Sequence, residues 1–499
     1  NHSALSKKCI GHFRRLALTS MVSCCGEGIW GSASPSSVEI IRPGSTSPTP
    51  CCSGCGENAN IIRVLEGENG FGWGPLAMAS YPAIAMVLPK ADEQTLKSSL
   101  AKALQAVPTA AGRFCQNGRG LQLNGAGVPF RVVSSNEKRA PERLEEVQLL
   151  DFADFPNPAT VYKGKAPVMT VKLTKFQDGS GVLCMCRSHM LFDGTSAWTF
   201  VAYWSALARG QEPKPPIWDK DQAIALVPDE EETQQIALQL NGRRLKWSPL
   251  NVVMKATMVL FSSTYDALFR NAGVGLYRDR LFFADAELAA LKSFATPKTV
   301  EPGKDNWVST QEAFVAYMIH TLGQQLVSPT AKGACKVVFF LDPRKSVGLP
   351  ANQLLGSGLV LFMVKIDNFR RLSLPEIASE LHEALSTKES GKKLGKQWRL
   401  ITGACEIKKV FDIYMEYLST SGCDLVLQIN NSSKRELPDF GNGRCEQVVT
   451  NAGPTLLLPA KGGMEVFLHS SVFSSTGCSS AQKQKALEAL RSELPRSTA

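Results

Sequence analysis

Val182-Leu183-Cys184-Met185-Cys186-Arg187-Ser188-His189-Met190-Leu191-Phe192-Asp193-Gly194-Thr195-Ser196 is the stretch on which the fold reading turns. A short apolar run with strand character leads into a histidine, and an Asp-Gly pair then turns the chain. Ala197-Trp198-Thr199-Phe200-Val201-Ala202-Tyr203-Trp204 follows, dense in apolar residues. It reads as a buried helix, capped by Thr195 or Ser196 and stopping at Gly210. Strand ends that feed loops are where a fold presents reactive groups to a pocket. A near-neutral imidazole there is the usual general base. Asp193, four residues on, and the permissive Gly194 are placed to hold the turn that aims His189. The pair alone is weak, because most histidines in such places only satisfy a local hydrogen bond.

Working outward, Ala166-Pro167-Val168-Met169-Thr170-Val171-Lys172-Leu173-Thr174 alternates as a strand does, and Asp178-Gly179 turns it into the strand before His189. His189 therefore follows a hairpin. Further upstream, 37–41 is a short strand and 92–106 a helix with Leu96, Leu100, Ala103 and Leu104 on one face. Strands are expected around 121–123 and 130–133. Downstream, Gly210-Gln211-Glu212-Pro213-Lys214-Pro215-Pro216-Ile217-Trp218-Asp219 is the clearest linker in the chain.

Beyond it, strands are expected over 280–283, 337–341, 359–366, 424–429 and 464–469. Helices are expected over 286–294, 374–385 and 481–494. A further helix opens on the capping box Ser309-Thr310-Gln311-Glu312 and contains His320, which reads as structural. Residues 1–36 read as a disordered leader, either a targeting segment or an untranslated-type extension, 37–209 as one domain, 210–224 as a linker and 225–499 as a second domain. Strands and helices alternate irregularly in both halves, and neither G-x-G-x-x-G nor G-x-x-x-x-G-K-[ST] occurs. The fold class is α/β without those phosphate loops.

Length and composition narrow the function classes. The 499 residues are 44% hydrophobic and 20% charged, ordinary for a globular chain long enough for two or three cores. The net charge is +10, but Lys7, Lys8, Arg14 and Arg15 stand against only Glu27 in the first 36 residues. The remainder has no long basic tract, so nucleic acid is not an expected partner. Apolar runs such as Leu359-Val360-Leu361-Phe362-Met363-Val364 are too short to span a bilayer. Fourteen cysteines are too sparse for a disulfide framework, and Cys184, Cys186 and Cys335 sit in strand-like apolar positions. Cys51-Cys52-Ser53-Gly54-Cys55 holds one C-x-x-C without a well-spaced second pair, so no metal is expected. The cysteines point to a reducing compartment, the cytoplasm or, if the leader is genuine, a plastid or other organelle.

A second motif stands 250 residues after His189: Leu437-Pro438-Asp439-Phe440-Gly441-Asn442-Gly443. A protein-kinase D-F-G is excluded, since the catalytic and glycine-rich loops that must precede it are missing. His189-x-x-x-Asp193-Gly194 followed at this distance by Asp439-Phe440-Gly441-x-Gly443 resembles the BAHD family of coenzyme A-dependent acyltransferases. Ile40-Ile41-Arg42-Pro43, Ser47-Pro48-Thr49-Pro50, Leu96-Lys97-Ser98-Ser99-Leu100, Ala111-Gly112-Arg113 and Asp342-Pro343-Arg344 are similar to further segments of that family, in order. Three segments depart from its pattern. Asn442 replaces the tryptophan of D-F-G-W-G, Ser432-Ser433 stands for the usual S-W, and Leu355-Gly356-Ser357 for the usual F-G-N.

The resemblance implies two similar-sized chloramphenicol-acetyltransferase-like domains with mixed sheets and a tunnel between them. It implies acyl transfer from a CoA thioester to a hydroxyl or amine of a small molecule, without metal, cofactor or covalent enzyme intermediate. His189 would be the base and Asp193 and Gly194 the brace of its turn. Asp439, with Gly441, would be structural and pair with Arg344. With the tryptophan gone, backbone N–H groups or Asn442 would serve the oxyanion, with Ser433 nearby. Lys392, Lys393, Lys396 and Arg399 form the densest basic run of the second half and stand either for a CoA-phosphate site or for a solvated face. A monomer acting in secondary metabolism is expected. Two rivals stay open: a condensation or wax-ester-synthase-type relative, disfavoured by Ser188 where those carry a first histidine, and a non-catalytic member that binds acyl-CoA or a partner.

Overall fold

The computed structural model describes residues 37–43, 61–63, 81–115, 120–145, 148–157, 160–161, 163–245, 278–298, 307–331, 333–356, 360–404, 413, 422–451, 455–469 and 471–494. The expected leader, the Ser47-Pro48-Thr49-Pro50 turn, the Cys51–Cys55 cluster and Ser357 lie outside them. The first half contributes β1 (Ser37–Ile41), β2 (Ile61–Arg63), β3 (Ala83–Leu88), β4 (Arg113–Cys115), β5 (Gly120–Gln122), β6 (Val128–Ser134), β7 (Met169–Lys175) and β8 (Gly181–Arg187). The second half contributes β9 (Arg278–Ala284), β10 (Cys335–Leu341), β11 (Val360–Ile366), β12 (Leu425–Asn431), β13 (Gln447–Thr450), β14 (Thr455–Ala460) and β15 (Gly463–His469). The helices of eight residues or more are α1 (Glu93–Ala106), α2 (Gly194–Ala208), α3 (Glu230–Asn241), α4 (Asp285–Ala295), α5 (Thr310–Leu326), α6 (Leu374–Ser386), α7 (Lys388–Ala404) and α8 (Ser480–Ser492).

The fold is mixed α/β, built on one large mixed sheet. Twelve strands run in the order β1-β6-β7-β8-β3-β13-β14-β12-β10-β11, with β15 and β9 branching from β14, while β2, β5 and β4 form a separate three-stranded sheet. Most neighbours are antiparallel; β6/β7, β10/β12 and β12/β14 are parallel. The two halves share this sheet because β13, from the second half, pairs with β3 of the first over Gln447↔Val87 to Thr450↔Ile84. Gln447 reinforces the seam: its Oε1 accepts from the Leu144 N–H (2.7 Å) and its Nε2 donates to the Glu465 carboxylate (2.9 Å).

The hairpin β7–β8 forms as its sequence demands, Gly179 taking φ 87° in the Asp178-Gly179 turn. Every residue of β3 and β8 is buried, so these central strands read as continuous apolar runs without alternation. That is why β3, in Ala83-Ile84-Ala85-Met86-Val87-Leu88, has no periodic signature in the sequence. The capping box at the start of α5 is present, with the Glu312 carboxylate accepting from the Ser309 N–H (2.6 Å) and Ser309 Oγ accepting from the Glu312 N–H. His320 lies in that helix.

The stretch 210–220 is strapped to the second half rather than hanging free. Ile217 N–H donates to Asn352 O (3.1 Å), Leu354 N–H to Ile217 O (2.7 Å), and Asn352 Nδ2 to Pro215 O (3.1 Å). No helix among the described residues is long and apolar enough to cross a membrane.

Candidate active site

His189 sits in the turn between β8 and α2, and the backbone there is tightly specified. Ser188 N–H donates to Val168 O, while Leu191 and Phe192 N–H both donate to Ser188 O. Helix α2 starts at Gly194, and its cap is Asp193 rather than Thr195 or Ser196: Asp193 Oδ1 accepts from the Ser196 N–H at 2.7 Å. Asp193 wins because its carboxylate is already oriented by a buried cation from the other half of the chain.

That cation is Arg344, in the turn after β10. Its Nη2 donates to both Asp193 oxygens (3.0 and 3.2 Å) and to Ser196 Oγ (2.8 Å). Its Nε donates to Gln353 O (2.7 Å) and its Nη1 to Asp342 Oδ1 (2.7 Å). Arg344 is 1% and Asp193 3% exposed, so each depends on the other to stay charged in the interior. Ser196 Oγ completes the lock, donating to Leu355 O (2.7 Å) and accepting from Leu355 N–H (2.9 Å). Gly356 follows, and the reason for glycine is direct: a Cβ there would lie 1.8 Å from Met190 O, one residue past His189.

The expected pairing of Arg344 with Asp439 is therefore corrected. Asp439 Oδ1 accepts from the Gly441 N–H (2.8 Å), closing a local Asx turn, and its backbone carbonyl accepts from Arg209 Nη1 (2.6 Å). Gly441 and Gly443 hold φ 96° and 103°, which L side chains rarely adopt. Phe440 is buried edge-on against Trp204, with ring centroids 5.1 Å apart. The D-F-G-x-G turn thus docks on the C-terminal end of α2. Fifteen helical residues at 1.5 Å each put that end about 22 Å from Asp193. Asn442 belongs to this distant turn and does not line the cavity beside His189, which corrects its assignment to the oxyanion.

The cavity that His189 faces has a volume of about 250 Å³, and among the described residues Gln311, Asp342, Asn430, Asn431, Ser432 and Arg435 are part of its wall. Sequence reading passed over most of these. The available signal was a cluster of polar side chains, Gln428-Ile429-Asn430-Asn431-Ser432-Ser433, ending an otherwise apolar strand. Ser433 is not on the cavity wall; its N–H and Oγ–H both donate to Asn431 Oδ1 (2.8 and 2.7 Å). Arg435 Nη2 donates to Thr195 Oγ1 (3.2 Å).

The electrostatics hold the imidazole neutral. Burial and then the Arg187 guanidinium lower the His189 pKa to about 4, against the opposing pull of Asp193. Arg187 is itself buried, its Nη1 donating to Pro82 O at 2.8 Å, and burial lowers its pKa to about 10, which leaves it charged at neutral pH. A further cation missed in the sequence is Lys220, at the end of the strap. It is 7% exposed, and burial lowers its pKa to about 8 despite the attraction of Asp193.

The basic run lies on α7, and none of its members lines the cavity. Lys392 pairs with Glu389 (3.5 Å), Arg399 with Glu232 (2.6 Å), and Lys393 lies over the Phe362 ring (5.5 Å). The solvated-face reading accounts for these contacts.

Residues 78–257, which include the His189 turn, match the profile of the Transferase family. Vinorine synthase of Rauvolfia serpentina is 31% identical over 213 residues, covering 39% of this chain and 48% of that protein. Shikimate O-hydroxycinnamoyltransferase of Nicotiana tabacum is 28% identical over 192 residues, covering 36% and 43%. The chain thus spans about half the length, or less, of the curated relatives it matches. In three dimensions the likeness is longer. The crystal structure of vinorine synthase superposes with a TM-score of 0.58 at 18% identity, covering 93% of this chain and 97% of that one. F. graminearum TRI101 complexed with ethyl coenzyme A gives 0.54 at 15% identity, covering 85% and 98%. At such identities the superposition is a likeness of fold, and the sequence likeness runs through the segment that carries the histidine turn. Over residues 78–257 the sequence is similar to the Transferase family, and over most of its length the chain has a fold like that of vinorine synthase and TRI101.

Proposed function

We propose that this protein is an acyl-CoA-dependent acyltransferase that moves an acyl group from a CoA thioester to a hydroxyl or amine of a small molecule. One observation carries the reading: a histidine held neutral on the wall of a polar cavity, its turn locked by a buried ion pair from the opposite half of the chain. A hydroxyl is a poor nucleophile until its proton is removed. In the proposed cycle His189 takes that proton as the acceptor oxygen bonds to the thioester carbonyl carbon. The carbonyl electron pair moves onto oxygen, then returns as the carbon–sulfur bond breaks. The imidazolium gives its proton to the departing CoA sulfur, and His189 is neutral again.

Asp193 and Arg344 act on the geometry of the turn and do not transfer protons. The names of the relatives and the CoA complex of TRI101 support the donor class; secondary metabolism, a monomeric state and a reducing compartment such as the cytoplasm belong to the same proposal. A metal has no role in it. The test is release of free CoA, read with a thiol reagent, from a panel of acyl-CoA donors against mixed alcohol and amine acceptors. His189→Ala should lower turnover by roughly 10²-fold or more. Unchanged turnover in that variant would sink the mechanism, and silence of the wild type across the panel would favour a non-catalytic acyl-CoA-binding role.

A further inference from the structure

Acyl transfer of this kind builds negative charge on the thioester oxygen, and donors fixed in advance at that point are worth more than donors that must be recruited. The cavity wall offers several candidates, and they differ in how firmly they are held. Arg435 is an exposed side chain tethered, among the described residues, through Thr195. Gln311 sits in the first turn of α5 with no side-chain hydrogen bond among the described residues. Asn431 is different. It is the last residue of β12, and its Oδ1 accepts two hydrogen bonds from one residue, Ser433 N–H at 2.8 Å and Ser433 Oγ–H at 2.7 Å.

A backbone N–H can only donate, so the atom facing it is the amide oxygen and the orientation of the amide is settled. With Oδ1 occupied, the two N–H bonds of Asn431 Nδ2 are left over. Among the described residues no protein acceptor takes them, on a residue that lines the same cavity as His189. A compact cavity of about 250 Å³ is about 8 Å across, room for one reacting carbonyl between a base and a donor on its walls.

We infer that Asn431 is the oxyanion donor of this enzyme, its amide aimed by Ser433. The inference rests on the acyl-transfer reading. As the acceptor oxygen attacks, the carbonyl pair moves onto oxygen and is met by Nδ2–H. On collapse the C=O bond is restored, the C–S bond breaks, and CoA leaves with the proton from His189. Ser433 is then a positioning residue that never touches substrate.

The test uses full-length protein and variants chosen to separate donation from packing. Asn431→Asp keeps an oxygen for both Ser433 donors and loses the N–H groups, so the turn is preserved. It should lower kcat by about 10²–10³-fold on the plateau of the pH–rate profile, with KM for acyl-CoA changed less than about threefold. Asn431→Thr and Asn431→Val have nearly the same shape and both lose the tether, but only threonine donates. A kcat ratio between them of about tenfold or more supports the assignment. A ratio near one, or an Asn431→Asp variant with wild-type kcat, overturns it. A wild type that turns over no donor–acceptor pair sinks the acyl-transfer reading instead, and this inference with it.

Discussion

Arg344→Met is the most informative stability perturbation, because the structure specifies every bond it removes. The guanidinium serves Asp193, Ser196, Gln353 and Asp342 at once, and methionine fills much of its volume without any donor. What remains is a carboxylate 3% exposed, supported by the Ser196 N–H and the attraction of Lys220. Removing one partner of a buried pair costs about 3–5 kcal/mol, and the residual support from Lys220 puts the expected loss near the lower end, about 3 kcal/mol. Asp193→Asn keeps an oxygen for the cap while removing the charge. In Asp193→Asn/Arg344→Met neither member of the pair is left charged without the other, and the loss of Asp193 attraction to Lys220 is already counted in Asp193→Asn, so the double variant should be more stable than the sum of the single losses by about 1.5 kcal/mol or more. Urea unfolding of the four proteins, compared at constant m-value, reads the cycle. An Arg344→Met loss below about 1 kcal/mol, or additivity within about 0.5 kcal/mol, refutes the claim that this pair ties the halves together.

The acid limb of kcat/KM should fall near pH 4, because the proposed reaction needs neutral His189 and would be lost only as pH drops through the lowered pKa; a limb near 6.5 would mean an ordinary, solvated imidazole. Lys220→Met should stabilise the protein at pH 7 by about 1–3 kcal/mol, since the folded pKa of about 8 lies below the unfolded lysine value and the charged amine is the strained form. The unfolded chain binds more protons between those two values, so wild-type stability rises across that window and the advantage of Lys220→Met disappears above it; thermal melts at pH 7 and pH 10.5 check the sign. Gly356→Ala should lower both melting temperature and turnover, because its methyl group meets the Met190 carbonyl beside His189; turnover unaffected by this change would show that the turn can yield without cost.

The parts of the fold legible in the sequence are those where one local rule acts alone. Ser309 and Glu312 announce the start of α5, and Asp178-Gly179 announces the β7–β8 hairpin, because caps and turns are decided within four residues. Strand β3 was invisible, since a strand buried on both faces has no alternation to read. β13 was invisible for another reason: four residues acquire their role only by pairing with a strand some 360 positions earlier. The site divides in the same way. His189 and Asp193 stand together in one turn and can be found as a spacing. Arg344 and Lys220 come to that turn, and Asn431 to the cavity beside it, from three other places in the chain, and no local pattern assigns Arg344 to Asp193 rather than to Asp439.

That misassignment points to how the two motifs work together. They do not meet; they hold opposite ends of α2. At the N-terminus, Arg344 and Leu355 fix Asp193 and Ser196, and so the turn that carries His189. At the C-terminus, the Asp439–Gly443 turn receives Arg209 and seats Phe440 against Trp204, whose indole N–H donates to Ser99 Oγ at 3.0 Å in α1. A helix is stiff along its axis, so clamping both ends sets the position of its first turn more firmly than either contact alone. The clamps differ in what they need. The first needs charge and one exact set of hydrogen bonds, whereas the second needs two left-handed glycines, a buried ring and an Asx turn. Asn442 lies between those glycines with its side chain outside every one of these contacts, so the departure from tryptophan there leaves the clamp intact. A change at position 442 is therefore compatible with an unaltered His189 geometry, and in the proposed acyl transfer the burden of stabilising the oxyanion falls on the cavity wall itself.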